Sequence, residues 1–232
     1  MLRLDKFLAD STVLSRRDAA AAIRAGRVTV DGQIEKAPER KVAQDAAVAL
    51  DGAPLCYARF RYYMLNKPAG YVSSTDDPGG PTVLELLPEE QRAGLFPCGR
   101  LDKNTTGLLI LMNDGKLAHD LLSPKKHVVK EYYFEVERPV TPEDVAALEK
   151  GVDIGTCVTL PCKIELTGER RGVITLREGK YHQIKEMFKV RMNKITALRR
   201  ISFGGVRLDE NLPEGAWRAL TAEELNTLTV KR

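Results

Sequence analysis

The sequence predicts an α+β protein in two parts, a small domain of helices and short strands followed by a larger domain built on a mainly antiparallel sheet. Three observations carry this. Segments with the 3.6-residue apolar period of helices are interspersed with segments that alternate every second residue, but without the regular strand–helix succession of a doubly wound sheet. The first twenty-five residues read as an amphipathic helical hairpin. A stretch from Asp51 to Arg61, opening on Asp51-Gly52-Ala53-Pro54, has turn chemistry and no sustained periodicity. The boundaries that follow are residues 1–52 for the front domain, 53–61 for a linker and 62–232 for the large domain.

In the front domain, Leu4, Phe7 and Leu8 share one helical face. Ser15 is placed as an N-cap with Asp18 three residues on, which starts a second helix that Gly26 ends after Ala25. Its inward stripe of Ala19, Ala22 and Ile23 is narrow enough to let two helices approach closely. Arg17 and Arg24, seven residues apart, differ by only about 20° around the axis, and Arg16 stands beside them. Arg27-Val28-Thr29-Val30, Asp31-Gly32 and Gln33-Ile34-Glu35 then read as strand, turn and strand.

The large domain opens with Tyr62 to Pro68, a strand ending in a turn, and a turn-rich loop follows at Asp76 to Pro81. Thr82 to Leu87 is predicted as a short helix stopped by Pro88, and Asp114 to Leu122 as a longer one. Strands are expected at Val128 to Val136, Cys162 to Leu166, Val173 to Leu176 and Ile195 to Phe203. Thr141 with Asp144, and Thr221 with Glu224, have the spacing of capping boxes that open helices. Gln183 to Val190 is a helix with Ile184, Met187 and Phe188 inward and Lys185 and Lys189 on another face.

Composition narrows the class of protein. The chain has 232 residues, 29% of them charged and 43% hydrophobic, which is globular rather than disordered composition. No apolar run approaches a membrane span or a secretory leader, so a cytoplasmic protein is expected. Cys56, Cys98, Cys157 and Cys162 lack the paired spacings of a zinc site, and reduced thiols without a metal are expected. The net charge of +4 tilts the chain toward polyanions. A basic run of Lys185, Lys189, Arg191, Lys194, Arg199 and Arg200 marks one candidate surface.

The stretch Gly99 to Leu111 is the candidate for chemistry. A polar turn carrying Asp102 between Arg100 and Lys103 runs into the apolar strand Leu108-Leu109-Ile110-Leu111. Alone, Asp102 is better read as hydrogen-bonding its own turn. Tyr132 could be a packed strand aromatic, Lys185 a solvent-facing lysine and His182 a structural or RNA-facing residue.

Order gives these residues company. Leu4-Asp5-Lys6-Phe7-Leu8, Ser15-Arg16-Arg17 and Ile23-Arg24-Ala25-Gly26-Arg27-Val28-Thr29-Val30-Asp31-Gly32 together resemble the S4 RNA-binding module. Asn66-Lys67-Pro68-Ala69-Gly70, Gly99-Arg100-Leu101-Asp102 through Thr106-Gly107-Leu108, Lys130-Glu131-Tyr132 and Glu178-Gly179-Lys180-Tyr181-His182-Gln183-Ile184-Lys185 occur in the order seen in pseudouridine synthases. The whole chain resembles the RsuA branch of that superfamily, which modifies ribosomal RNA.

The resemblance implies a function. Asp102 matches the catalytic aspartate, Tyr132 the active-site tyrosine and Lys185 the basic partner of the aspartate, whose charge would favour the ionised carboxylate. Arg100 matches the arginine that fills the space of an extruded nucleotide, and Glu131 stands where relatives often carry Thr. Arg16, Arg17, Arg24 and Arg27 in front, with Lys189, Arg199 and Arg200 behind, would contact RNA phosphates. The expected protein is a cofactor-free monomer acting on ribosomal RNA or a pre-ribosomal particle, most simply on small-subunit (16S) RNA. Large-subunit (23S) RNA as target, or a non-catalytic RNA-binding or ribosome-assembly role, are the alternatives. A third reading, a glycoside hydrolase using Asp102, would need a second carboxylate, and the sequence has none in a recognisable motif.

Overall fold

A computed structural model describes residues 1–12, 14–55, 57 and 60–229. Cys56 and part of the expected linker lie outside the described residues. The chain forms two compact units, residues 1–61 with 87–95, and residues 62–86 with 96–232.

In the front unit, α1 (Leu4–Ser11) and α2 (Arg16–Arg24) close on each other through Leu4, Phe7, Leu8, Ala19 and Ile23, all fully buried. The alanine on α2 leaves room for the larger residues of α1. Ser15 caps α2 by accepting from the Asp18 backbone N–H at 3.2 Å. Two short strands, β1 (Leu2–Arg3) and β4 (Lys41–Val42), pair antiparallel. A separate four-stranded antiparallel sheet has the order β3 (Gln33–Glu35), β2 (Val28–Val30), β5 (Val48–Leu50), β6 (Ala53–Leu55). Residues 53–55, expected to begin a linker, are thus a strand in register with Val48–Leu50. Pro54 is compatible with this because β6 is an edge strand, where a missing N–H leaves no ladder bond unmade. Beyond β6, Tyr57 stacks at a tilt on Phe7 with ring centroids 5.0 Å apart. The later segment 87–95, with the short helix α3 (Glu89–Arg92), groups with this unit.

The second unit is built on one large sheet. Its path runs β11 (Lys163–Gly168), β12 (Arg171–Leu176), β10 (Lys130–Val136), β13 (Ile195–Phe203), β9 (Thr106–Met112), β7 (Tyr62–Lys67), β15 (Trp217–Ala219). The short strands β8 (Phe96–Pro97) and β14 (Val206–Arg207) pair with β9 and β13. Among these strands every pairing is antiparallel except that of β9 with β13, where Thr106 and Gly107 lie beside Arg199 and Arg200. Here Gly107 is required twice over. Its φ is +95°, and a Cβ would sit 2.3 Å from the Arg200 carbonyl oxygen.

Helices α4 (Gly115–Leu122), α5 (Pro142–Lys150), α6 (Gln183–Val190) and α7 (Ala222–Thr229) complete the unit. Their starts follow local chemistry. Asp114 accepts from Lys116 and Leu117 N–H, Thr141 and Asp144 form a capping box, and Thr221 and Glu224 exchange backbone-to-side-chain bonds. Thr82 to Leu87 forms only a single 3₁₀ turn, Val83–Leu86. Met64, Leu108, Ile110, Met112 and Phe203 fill the core on one face of the central strands.

Candidate active site

Asp102 stands on the loop between β8 and β9, and that loop is clamped from two sides. Ser73 Oγ donates to the Leu101 carbonyl at 3.0 Å and accepts from the Leu101 N–H at 3.1 Å. Below it, Lys67 at the end of β7 is fully buried, and its ammonium donates to the carbonyls of Pro68, Lys103 and Thr105 at 2.9, 3.0 and 2.9 Å. Burial pushes the Lys67 ammonium down to about 8, against which the nearby negative charge of Asp102 acts. The loop closes with the Thr105 N–H donating to the Asp102 carbonyl at 3.0 Å. The carboxylate therefore projects from a backbone that is fixed on both sides of it.

Across from it lies the start of α6. Ile184, Met187 and Phe188 are buried, which turns Lys185 toward Asp102. Lys185 Nζ donates to Asp102 Oδ2 at 2.6 Å, bringing together two residues far apart in sequence. His182 Nε2 lies 3.5 Å from the other oxygen, Oδ1. The sequence left His182 without a partner. Its position before the helix, in the same motif as Lys185, was the one signal available. His182 adopts φ +51°, a conformation sparsely populated by non-glycine residues and one that concentrates at functional sites.

Tyr132 comes from β10, whose alternation puts Tyr132, Phe134 and Val136 inward. The register between β10 and β13 shifts between Glu131 and Tyr132, so that Tyr132 pairs with Arg200. Such a bulge re-aims the side chains beside it. Tyr132 joins Asp102, Arg100, His182 and Lys185 around one cavity of about 640 Å³, a size suited to a nucleotide. Lys130 lines the same cavity, donates to the Val128 carbonyl at 2.9 Å, and is pushed down to about 8 by burial.

The expected RNA-contacting residues divide. Arg100 is exposed and lines the cavity. Lys189 and Arg199 are exposed, the former 3.1 Å from Glu186. Arg200 corrects the expected surface run. It is 2% exposed, donates through Nε to the Leu108 carbonyl at 2.7 Å, and lies over the Phe203 ring at 5.0 Å. Strand alternation explains this, because neighbours on β13 face opposite sides of the sheet. In the front unit Arg17 and Arg24 are exposed and make no ion pair with the described residues, whereas Arg16 lies 3.4 Å from Asp5 and Arg27 forms a two-point pair with Asp51. Cys98, Cys157 and Cys162 are free thiols. No group of three or more His, Cys, Asp or Glu among the described residues is placed to hold a metal, and no described helix is long and apolar enough to cross a membrane.

Comparison with known proteins shows the family. Residues 61–190 match the family model described as RNA pseudouridylate synthase, and residues 2–48 match the S4 domain. The chain is 46% identical to an uncharacterized RNA pseudouridine synthase of Bacillus subtilis, with 98% of each chain covered. It is 44% identical to ribosomal small subunit pseudouridine synthase A of Salmonella typhimurium and 42% identical to that of Escherichia coli, covering 97% of this chain and 98% of each relative. A solved pseudouridylate synthase superposes with a TM-score of 0.70 at 37% identity, covering 98% of this chain and all of the other. The chain belongs to the RNA pseudouridylate synthase family, in its RsuA branch with an S4 domain in front.

Proposed function

We propose that this enzyme converts one uridine of small-subunit ribosomal RNA to pseudouridine, with Asp102 as the catalytic carboxylate, Lys185 as its ionic partner and Tyr132 as the residue that holds the base. The observation that carries the reading is the Lys185–Asp102 contact at 2.6 Å inside a nucleotide-sized cavity that Tyr132 also lines. The small-subunit target is supported by the names of full-length relatives at 42–45% identity.

The reaction breaks the bond from N1 of uracil to C1′ of the ribose, turns the base, and forms a bond from C5 to the same carbon. N1 gains a proton and C5 loses one, so the product is an isomer and no electrons enter or leave. An ionised Asp102 can attack the sugar carbon or withdraw a proton from the sugar. Both routes need the carboxylate held still, and the Lys185 contact and the clamped loop hold it. Tyr132 offers a ring face against the detached uracil and a hydroxyl to relay the C5 proton. The uridine must leave its stack to reach the cavity, at a cost of a few kcal/mol. Arg100, exposed at the same cavity, occupies the vacated position and contacts phosphate.

The test uses RNA tritiated at uridine C5, supplied as small-subunit RNA, large-subunit RNA and their assembling particles. Wild type should release label to water from the small-subunit substrate, and Asp102→Asn should release none while still binding RNA. Absence of release from every substrate would overturn the reading, and release from large-subunit RNA alone would move the target.

A further inference from the structure

We propose that the outer face of Tyr181 is a stacking subsite for an unpaired nucleobase adjoining the target uridine, an inference that rests on the uridine isomerase reading above. Tyr181 is 83% exposed, so a large aromatic face stands in water at the rim of the cavity. One side of the ring is covered. It stacks on His182 with centroids 3.9 Å apart and planes 17° from parallel. His182 in turn lies 3.5 Å from Asp102. The open face of Tyr181 is thus one ring-stack beyond a group in polar contact with the catalytic carboxylate, and neighbouring nucleotides of one strand can reach both.

The platform is rigid. Gln183 is buried, its side chain accepts from the Lys180 N–H at 2.9 Å and donates to Glu178 at 2.7 Å, and its own N–H donates to the Lys180 carbonyl at 3.2 Å. Glu178 also accepts from the Leu160 N–H at 2.8 Å. Residues 178–183 therefore form a braced turn that presents Tyr181 without needing its side chain for packing. Arg100, Lys103 and Lys180 line the same cavity and supply cations for the phosphates on either side. An exposed aromatic face among cations is the arrangement that binds single-stranded nucleic acid, because every base offers a π-face.

The experiment uses the full chain and a short cytidine-rich RNA with one central uridine and a 2-aminopurine on its 5′ or its 3′ side. On one of the two sides, wild type and Tyr181→Phe should quench the probe, and Tyr181→Ala should not. Tyr181→Ala should also bind about 5- to 150-fold more weakly, and an abasic site at the stacking position should erase that difference. Equal affinity of wild type and Tyr181→Ala, quenching that survives in Tyr181→Ala, or a deficit that persists on the abasic RNA would each overturn the proposal. Binding is read without turnover. Tyr181-dependent quenching without tritium release would therefore support the subsite and count against the isomerase reading, and release without such quenching would do the reverse.

Discussion

Replacing Lys67 by Met keeps the apolar stem and removes the ammonium that ties down the Asp102 loop. The carbonyls of Pro68 and Thr105 lose their donor, while that of Lys103 keeps the Gly70 N–H at 2.9 Å. Each unpaired acceptor costs ~1–3 kcal/mol, so the direct loss over two of them is roughly 2–6 kcal/mol. Against it stands the relief of a buried charge. The fall of the ammonium from 10.5 to about 8 corresponds to about 3 kcal/mol, at ~1.4 kcal/mol per tenfold change in proton affinity. A net destabilisation of about 1 kcal/mol follows, against the ~5–15 kcal/mol that holds a domain together.

Trp217, the single tryptophan, lies on β15 in register with Leu65 of the strand that carries Lys67, so its fluorescence reports unfolding of this unit. With a urea slope of ~2 kcal/mol per molar, the midpoint should fall by about 0.5 M. The pH dependence has a definite sign. Between about 8 and 10.5 the unfolded chain keeps the Lys67 proton and the folded chain releases it, so wild type should gain stability over Lys67→Met as pH rises through that window. An unchanged urea midpoint, or a gap between the two proteins that narrows with rising pH, would refute the reasoning.

Other expectations follow from single contacts. Lys185→Met should lower kcat about 10²-fold with little change in RNA affinity, because it removes the cation 2.6 Å from Asp102; single-turnover rates on bound RNA check this, and Lys185→Arg should recover part of the loss. Gly107→Ala should cost about 3 kcal/mol or more, since the new Cβ meets the Arg200 backbone at a positive φ, and chemical denaturation of the soluble fraction would show it. Replacing Arg17 and Arg24 together by Ala should weaken binding to every RNA and reduce the dependence of log affinity on log salt by about one per arginine; binding isotherms across a salt series measure the slope.

Local chemistry is what made much of this chain legible as a sequence. The helix starts at Ser15, Thr141 and Thr221 are set by side chains three residues from the groups they bond, and Gln183–Val190 and Ile195–Phe203 are elements whose apolar periods lie within a single window. The motifs around Asp102, Tyr132 and Lys185 were legible for another reason, their order along the chain. What stayed hidden was through-space. Ala53–Leu55 is a strand only because Val48–Leu50 lies beside it, and Pro54 read alone signals a turn. Arg199 and Arg200 look alike in sequence, yet the sheet buries one and exposes the other. Lys67 looked like one residue of a motif and proved to be the post that holds the loop.

The sequence by itself determined the α+β class, the caps and periods of the elements, and the set of residues around which the chemistry is proposed, because these depend on neighbours a few positions away or on motif order. The tertiary structure decided which charges meet. Only folding sets Lys185 and His182 against the two oxygens of Asp102, because residues some eighty positions apart meet through contacts that no local pattern encodes. Only the pairing of β9 with β13 brings the Leu108 carbonyl to the inward-facing Arg200, with a glycine where the two backbones touch.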